Sequence, residues 1–338
     1  MSEPLSSKPS RPPVHFAYWL VALLLASVLL YFSLRGIEWA KVWQVLSRAD
    51  LRLVALALGV ATVSLFLRAY RWRILLLSQG PVSIASAFWA TSAGYFGNNF
   101  LPARAGEVVR TMMVSSSSGL GRMFVLTTAL TERLADAITL VLISSVVLLT
   151  LPVKPGWFNH AAKPFAVIGF AGALAILVIP KLEKLWHRMI LRLPLPHGFR
   201  DKLIKILEQI HVGLRTFHDW KRLSGFFSIT MAVWMLDALG TLIGMRALGL
   251  STTLPVALLL ITGLGLGSAL PSTPGYVGIY QSAAVIVLTP FGFSRTNAIA
   301  YILLAQALQY VLITFWGLIA ITRSRGVSFR ATTVQQNA

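Results

Sequence analysis

The 338-residue sequence has no cysteine, which excludes disulfides, thiolate metal sites, iron–sulfur clusters and thiol nucleophiles. Charge is scarce too: Asp, Glu, Lys and Arg make up 12% of the chain, against about 25% in an ordinary water-soluble domain. Acidic residues are the scarcest, 11 against 30 Lys and Arg, for a formal net charge of +19. Hydrolase signatures are missing: there is no His-Glu-x-x-His and no Gly-x-Ser-x-Gly. Of the six His, His15, His187, His197, His211 and His218 fall in the expected cytoplasmic tail or loop, and His160 in an outside loop. None sits beside the acidic residues, so no metal, cofactor or enzymatic activity is expected.

Apolar residues are abundant instead, at 56% of the chain and a mean hydropathy of +0.72. Several runs are long enough to cross the roughly 30 Å hydrocarbon core as helices. The apolar runs, some of them shorter than a full span, fall near 16–34, 51–67, 82–97, 105–118, 123–151, 164–180, 225–249, 254–270, 275–289 and 298–321. The first is long for a signal peptide and lacks a small-residue cleavage site, so it reads as an uncleaved span. The basic excess does not read as a nucleic-acid surface. Ten Lys and Arg lie between Lys181 and Arg222 and others flank the apolar runs, the pattern of loops held on the cytoplasmic side.

Two neighbouring pairs of runs are joined by Leu-Pro turns: Leu101-Pro102 through Gly106, and Leu270-Pro271 through Pro274 and Gly275. Proline and glycine end a helix and turn the chain. Neither turn is polar enough for a long aqueous loop, so both read as hairpins that turn inside the membrane. At a constant offset of 169 residues Gly94, Leu101, Pro102 and Gly106 match Gly263, Leu270, Pro271 and Gly275. With the loop 181–224 in the cytoplasm, each half becomes span, span, hairpin, span, in opposite orientation. The expected fold is therefore an all-α polytopic membrane protein, about six full spans plus two re-entrant or short helical hairpins in an inverted repeat. Residues 1–15 read as a disordered cytoplasmic tail and 16–322 as the transmembrane domain, with halves near 16–151 and 164–321. Residues 323–338 read as a second cytoplasmic tail. The segment 35–52 reads as an outside loop, although it carries four basic residues. Leu203, Ile206, Leu207, Ile210, Leu214 and Phe217 form an apolar stripe in the cytoplasmic loop, either an in-plane membrane helix or a cap on the bundle.

Six ionisable residues fall where a membrane should exclude them: Arg104, Glu107, Arg110, Glu132, Arg133 and Asp136. Glu132 lies ten residues past Arg122, about 15 Å along a helix and so near the midplane. Six unpaired charges would cost roughly 15–20 kcal/mol, more than a typical fold's whole stability. Three Arg and three acids sum to zero, so mutual pairing around a wet pocket is expected. Either the Arg side chains hold an anionic head group, with Asn98 and Asn99 adding polar groups at the turn, or the set is a structural network. Glu107, Glu132 and Asp136 are the candidates for gating or coupling. At the second turn Pro271, Pro274 and Gly275 are accompanied by hydroxyl-bearing Ser272, Thr273 and Tyr276. Gly263, Gly265 and Gly267 suit close helix packing. Gln281 and Gln306 read as helix glue, and Asp237 as a lone intramembrane acid. The ten Trp lie mostly near span ends, where interface anchors belong.

The run Gly94-Tyr95-Phe96-Gly97-Asn98-Asn99-Phe100-Leu101-Pro102-Ala103-Arg104-Ala105-Gly106-Glu107-Val108-Val109-Arg110 carries a resemblance, with Glu132-Arg133-Leu134-Ala135-Asp136 and Pro274-Gly275-Tyr276-Val277-Gly278. These motifs resemble the lysylphosphatidylglycerol synthase transmembrane-region family, flippase-like integral membrane proteins, over about 16–322. The resemblance implies a bacterial or archaeal inner-membrane protein whose region is linked, in the best-known members, to moving an aminoacylated phospholipid between leaflets. It also implies that the six charged residues line a polar site. Two departures stand out. The chain ends 17 residues after Ile321, so the resemblance does not carry aminoacyl transfer with it. The family's second motif reads Pro-Gly-Gly-x-Gly-x-x-Glu, whereas here Tyr276 replaces the second Gly and Gln281 the Glu.

The expected function is a membrane lipid translocase passing an anionic phospholipid head group across the inner membrane, both termini cytoplasmic. Arg104, Arg110 and Arg133 would hold the phosphate, and Glu132 or Asp136 would gate or couple the movement. The alternative is a membrane subunit that binds a lipid-modifying enzyme through the basic loop. An intramembrane enzyme lacks a nucleophile or metal in this sequence. Partners are expected to be phospholipids, not nucleic acid.

Overall fold

The computed structural model describes residues 14–101, 105–151, a few helical positions between 163 and 178, 219–268 and 274–336, with side chains between 23 and 323. Pro102, Arg104 and Pro271 lie outside the described residues, as do most of the expected span 164–180 and the amphipathic stripe from Leu203 to Phe217.

Among the described residues ten α-helices follow in order: α1 (Val14–Leu34), α2 (Trp39–Ser47), α3 (Leu51–Leu76), α4 (Ile84–Phe100), α5 (Gly106–Ser118), α6 (Arg122–Thr150), α7 (Trp220–Ala247), α8 (Leu254–Gly267), α9 (Ile279–Leu288) and α10 (Arg295–Gln336). No strand occurs among the described residues. The helices α3, α6, α7 and the part of α10 over Arg295–Arg323 are each long and apolar enough to cross a bilayer. The bent pair Leu23–Leu34 and Trp39–Ser47, meeting at 85°, adds a fifth if it counts as one span. Exposed Leu56, Val63, Phe66, Leu130, Leu134, Val146, Phe315 and Leu318 face outward from these helices, as lipid-facing positions should. This is an integral membrane protein.

Local chemistry sets the ends. Asp50 caps α3 by accepting from the backbone N–H groups of Arg52 and Leu53, and Asp219 caps α7 by accepting from Lys221. Ser83 caps α4 through Ser86 N–H, and Gly119, at φ 72°, closes α5. Two boundaries differ from expectation. Helix α3 runs to Leu76, nine residues beyond the apolar run ending at 67, because Arg68, Arg71 and Arg73 belong to the helix and not to a loop. The segment 35–52 is not a loop: it holds α2, with Val42 turned inward and Trp39 and Trp43 exposed, as a helix at the membrane surface would place them.

The two hairpins are present. In the first, α4 and α5 cross at bare backbone: a Cβ on Gly97 would lie 2.8 Å from Gly106 Cα, and one on Gly106 would strike the Gly94 carbonyl. In the second, α8 returns through the short 3₁₀ turn Pro274–Tyr276 into α9. Gly275 adopts φ 72° and a Cβ there would overlap the Tyr310 hydroxyl. One apolar core surrounds the first hairpin with Trp72, Leu75, Val114, Val125 and Phe226. The other joins the second hairpin to α6 and α10 through Leu140, Leu260, Leu288 and Ile299.

The offset of 169 also governs the helices. Shifted by that amount, α3 falls on 220–245, against Trp220–Ala247 for α7, and the cap Asp50 falls on the cap Asp219. These equivalent helices pack together and run antiparallel. Asp50 N–H donates to Ala247 O, Ser64 meets Asp237, and Arg71 meets Thr230, so position falls along α7 as it rises along α3. Equivalent spans with opposed directions are what an inverted repeat requires. The axis relating them passes beside Arg68 and Asp237, which are 169 residues apart and in contact.

Candidate functional site

The acids on α6 arise from a helix with one lipid-facing stripe and one inward stripe. Leu130 and Leu134 are more than half exposed while Glu132 and Asp136, one turn apart, are 1% and 6% exposed. They meet an arginine that the apolar runs did not bring forward. Arg71 Nη2 lies 2.7 Å from Glu132 Oε1, Arg71 Nη1 lies 2.5 Å from Asp136 Oδ1, and Nη1 also donates to Thr230 Oγ1 at 3.2 Å. On the other side Arg110 Nη1 donates to Glu132 Oε2 at 3.0 Å, and Arg110 Nε lies 2.6 Å from Glu107 Oε2. Glu107 Oε1 accepts from Arg133 Nη2 at 3.0 Å and from Asn98 Nδ2 at 3.3 Å.

The result is one chain of alternating charge: Arg133, Glu107, Arg110, Glu132, Arg71, Asp136. Three guanidinium groups face three carboxylates, so the chain is neutral, which makes burial tolerable. Aromatic faces complete the desolvation, Arg110 lying over Trp72 at 4.5 Å, Arg71 over Phe226 at 5.3 Å and Arg133 over Tyr95 at 5.3 Å. Trp72 is therefore buried, unlike the exposed Trp39, Trp43 and Trp220 that fit the interface expectation.

A cavity of about 330 Å³ adjoins one end of this chain. Its wall includes Arg133, Asn98 and Asn99, together with Tyr95, Tyr276, Tyr280 and Tyr301. Arg133 is the accessible end, its side chain 32% exposed, whereas Arg71, Arg110 and Glu132 are at most 1% exposed. Among the phosphate-holding residues expected from the sequence, Arg133, Asn98 and Asn99 reach the cavity wall and Arg110 lies behind it. Of the expected coupling residues, Glu107 touches the wall residues Arg133 and Asn98, while Glu132 and Asp136 sit deeper.

Asp237 is not a lone acid. It lies on the same cavity wall, accepts from Ser64 Oγ at 2.6 Å and is ion-paired with Arg68 Nη2. The spacing Ser64, Arg68, Arg71 puts all three on one face of α3, and that periodicity was the signal available in the sequence. At the second turn Gln281 Oε1 accepts from Gly278 N–H at 2.8 Å and its amide donates to Gln306 at 2.6 Å. Gln306 in turn donates to Gly275 O at 3.0 Å, so the glutamines fasten the turn to α10. Tyr276, standing where the resembling motif has glycine, has a left-handed φ of 60° and stacks on Tyr280 at 5.0 Å.

Known proteins resemble the chain over nearly its whole length. A family model described as Lysylphosphatidylglycerol synthase TM region matches residues 19–317. A UPF0104 membrane protein of Pyrococcus horikoshii is 23% identical over 91% of this chain and 97% of its own length. The Glycosyltransferase AglD of Haloferax volcanii is 25% identical over 97% of this chain, and the match spans 58% of that protein. A UPF0104 membrane protein of Methanothermobacter thermautotrophicus is 23% identical over 79% of this chain and 82% of its own.

Proposed function

Because the chain belongs to the lysylphosphatidylglycerol synthase transmembrane-region family, we propose that it is a lipid translocase that passes an anionic head group between leaflets of the inner membrane. The observation that carries this reading is the cavity among the apolar helices with Arg133, Asn98 and Asn99 on its wall. A guanidinium forks onto phosphate oxygens, and the two amides supply further donors. Arg133 is held ready by Glu107 without being enclosed, so a phosphate can compete for it. That competition loosens Glu107, and the alternating chain carries the electrostatic change to Glu132, Arg71 and Asp136, where α5, α6 and α3 are tied together. In this reading Glu107 is the coupling group nearest the ligand and Glu132 and Asp136 hold the helices. In this reading both termini and the basic segment 181–224 are cytoplasmic. The movement is passive or ion-coupled, and no step in it is enzymatic.

A second reading has its own support. The relative named a glycosyltransferase contains a region like this chain over 58% of its length, an arrangement that suits a membrane subunit working beside a lipid-modifying enzyme. Translocation of fluorescent phospholipids in liposomes separates the two. The translocase reading expects faster flipping with the wild-type protein, lost in Arg133→Ala and in folded Glu132→Gln. No flipping of anionic, zwitterionic or polyprenyl-phosphate lipids, with or without a proton gradient, leaves the partner-binding reading in its place.

A further inference from the structure

Arg68, Trp234 and Asp237 form a second polar group on the cavity wall, separate from Arg133 and its chain. The Arg68 and Asp237 side chains are 13% and 24% exposed, so this pair is open where the Arg71–Glu132–Arg110 set is sealed. Asp237 engages Arg68 through a single nitrogen, Nη2, while its other oxygen accepts from Ser64. A guanidinium offers five N–H donors in a fork that a one-point carboxylate leaves largely unused. The Arg68 guanidinium lies 4.8 Å over the Trp234 ring. Trp234 is itself 6% exposed, and its indole N–H has no hydrogen-bond partner among the described residues. A buried donor without an acceptor is costly unless a ligand supplies one.

We propose that Arg68, Trp234 and Asp237 are an anion-binding position on the repeat axis, which a phosphate group occupies by displacing Asp237 from Arg68. The phosphate forks onto the guanidinium and gives the indole N–H its acceptor, while the released carboxylate stays hydrogen-bonded to Ser64. Taking the phosphate as that of a lipid head group rests on the translocase reading. Under that reading the location has a purpose: a head group that changes leaflets crosses the axis relating the two halves, and here it finds cationic support independent of either hairpin.

The arrangement makes predictions of opposite sign for the two partners. Binding to the purified full-length protein is measured by calorimetry with dihexanoylphosphatidylglycerol, with inorganic phosphate, and with dihexanoylglycerol as the phosphate-free control. Asp237→Asn keeps the shape and the Ser64 contact but removes the competing charge, and should bind the phospholipid about tenfold tighter than wild type. Arg68→Gln should bind it about tenfold more weakly, and Trp234→Phe, which keeps the ring, about threefold more weakly. The phosphate-free lipid should not respond to these changes. Inorganic phosphate binding in the same order without phospholipid binding keeps the position and assigns it to free phosphate.

Weaker or unchanged binding in Asp237→Asn, with Arg133→Ala abolishing it, overturns the proposal: the pair is then structural, and the translocase reading stands. The opposite-sign pattern without any lipid flipping does the reverse, keeping the position and removing the translocase. No binding by wild type or Asp237→Asn in either phosphate arm overturns the position outright.

Discussion

Glu132 is the residue whose removal should disturb the structure most. It bridges Arg71 at 2.7 Å and Arg110 at 3.0 Å, and all three side chains are at most 1% exposed. Glu132→Gln keeps the size and one acceptor but leaves the six-residue chain with a net charge of +1. Removing one partner of a buried ion pair costs about 3–5 kcal/mol because the other charge stays buried. The glutamine carbonyl can still accept from one guanidinium, so a loss near about 3 kcal/mol is expected. Arg133→Gln, at the accessible end, should cost below about 1 kcal/mol by comparison. Equilibrium unfolding in mixed detergent–lipid micelles, followed by far-ultraviolet circular dichroism, measures both. Adding Arg110→Gln to Glu132→Gln restores neutrality and should recover about 1–3 kcal/mol, the range for coupled neighbours. A single-variant loss under about 1 kcal/mol, or strictly additive losses in the double variant, would refute the picture of a sealed, mutually neutralising chain.

Two further outcomes follow from the hairpins. Gly106→Ala drives a methyl into the Gly94 carbonyl and the Asn98 side chain; it should destabilise the fold by at least about 1–3 kcal/mol and separate α4 from α5, read as loss of a Gly97–Gly106 distance constraint in spin-label pairs flanking the turn. Gln281→Glu, which restores the motif residue of the family, keeps the acceptor for Gly278 N–H but removes the donor to Gln306; a loss of about 1–3 kcal/mol is expected, measured by the same unfolding assay, and Gln306→Met should reduce the difference between the two.

The helices and hairpins were legible because hydrophobic runs and Leu-Pro turns act locally. The charge network was only half legible. Glu107, Arg110, Glu132, Arg133 and Asp136 stand out as ions in apolar surroundings, and they do pair. Arg71 did not stand out, because it follows the end of an apolar run and carries the sign expected of a cytoplasmic flank. Its burial depends on α3 continuing to Leu76 against Phe226 and Thr230, a tertiary fact. For the same reason Asp237 read as isolated, since its partner sits on another span. Helix α2 was missed because nine residues are too few to show a convincing period, and its two exposed Trp make sense only beside the membrane surface.

The repeat explains why the two halves had to diverge where they meet. Where a twofold axis passes between equivalent antiparallel helices, a residue beside the axis faces its own counterpart. Identical charges at Arg68 and its equivalent would repel in a medium where like-charge contact is least tolerated. An acid at 237 is therefore the simplest way to keep an arginine at 68, and the pair found there is that arrangement. Divergence extends outward from the axis. Counting 169 residues on, Glu107 corresponds to Tyr276 and Glu132 to Tyr301. Both tyrosines line the cavity, whereas the two acids sit within the ion-paired chain of the first half. The first half thus gives the cavity its arginines and asparagines, with Tyr95, and the second gives it Tyr276, Tyr280, Tyr301 and Asp237. The ion-paired chain of three arginines and three acids is neutralised as a set within the first repeat, and the second repeat adds to the cavity wall a single acid, Asp237, which pairs with Arg68 across the axis.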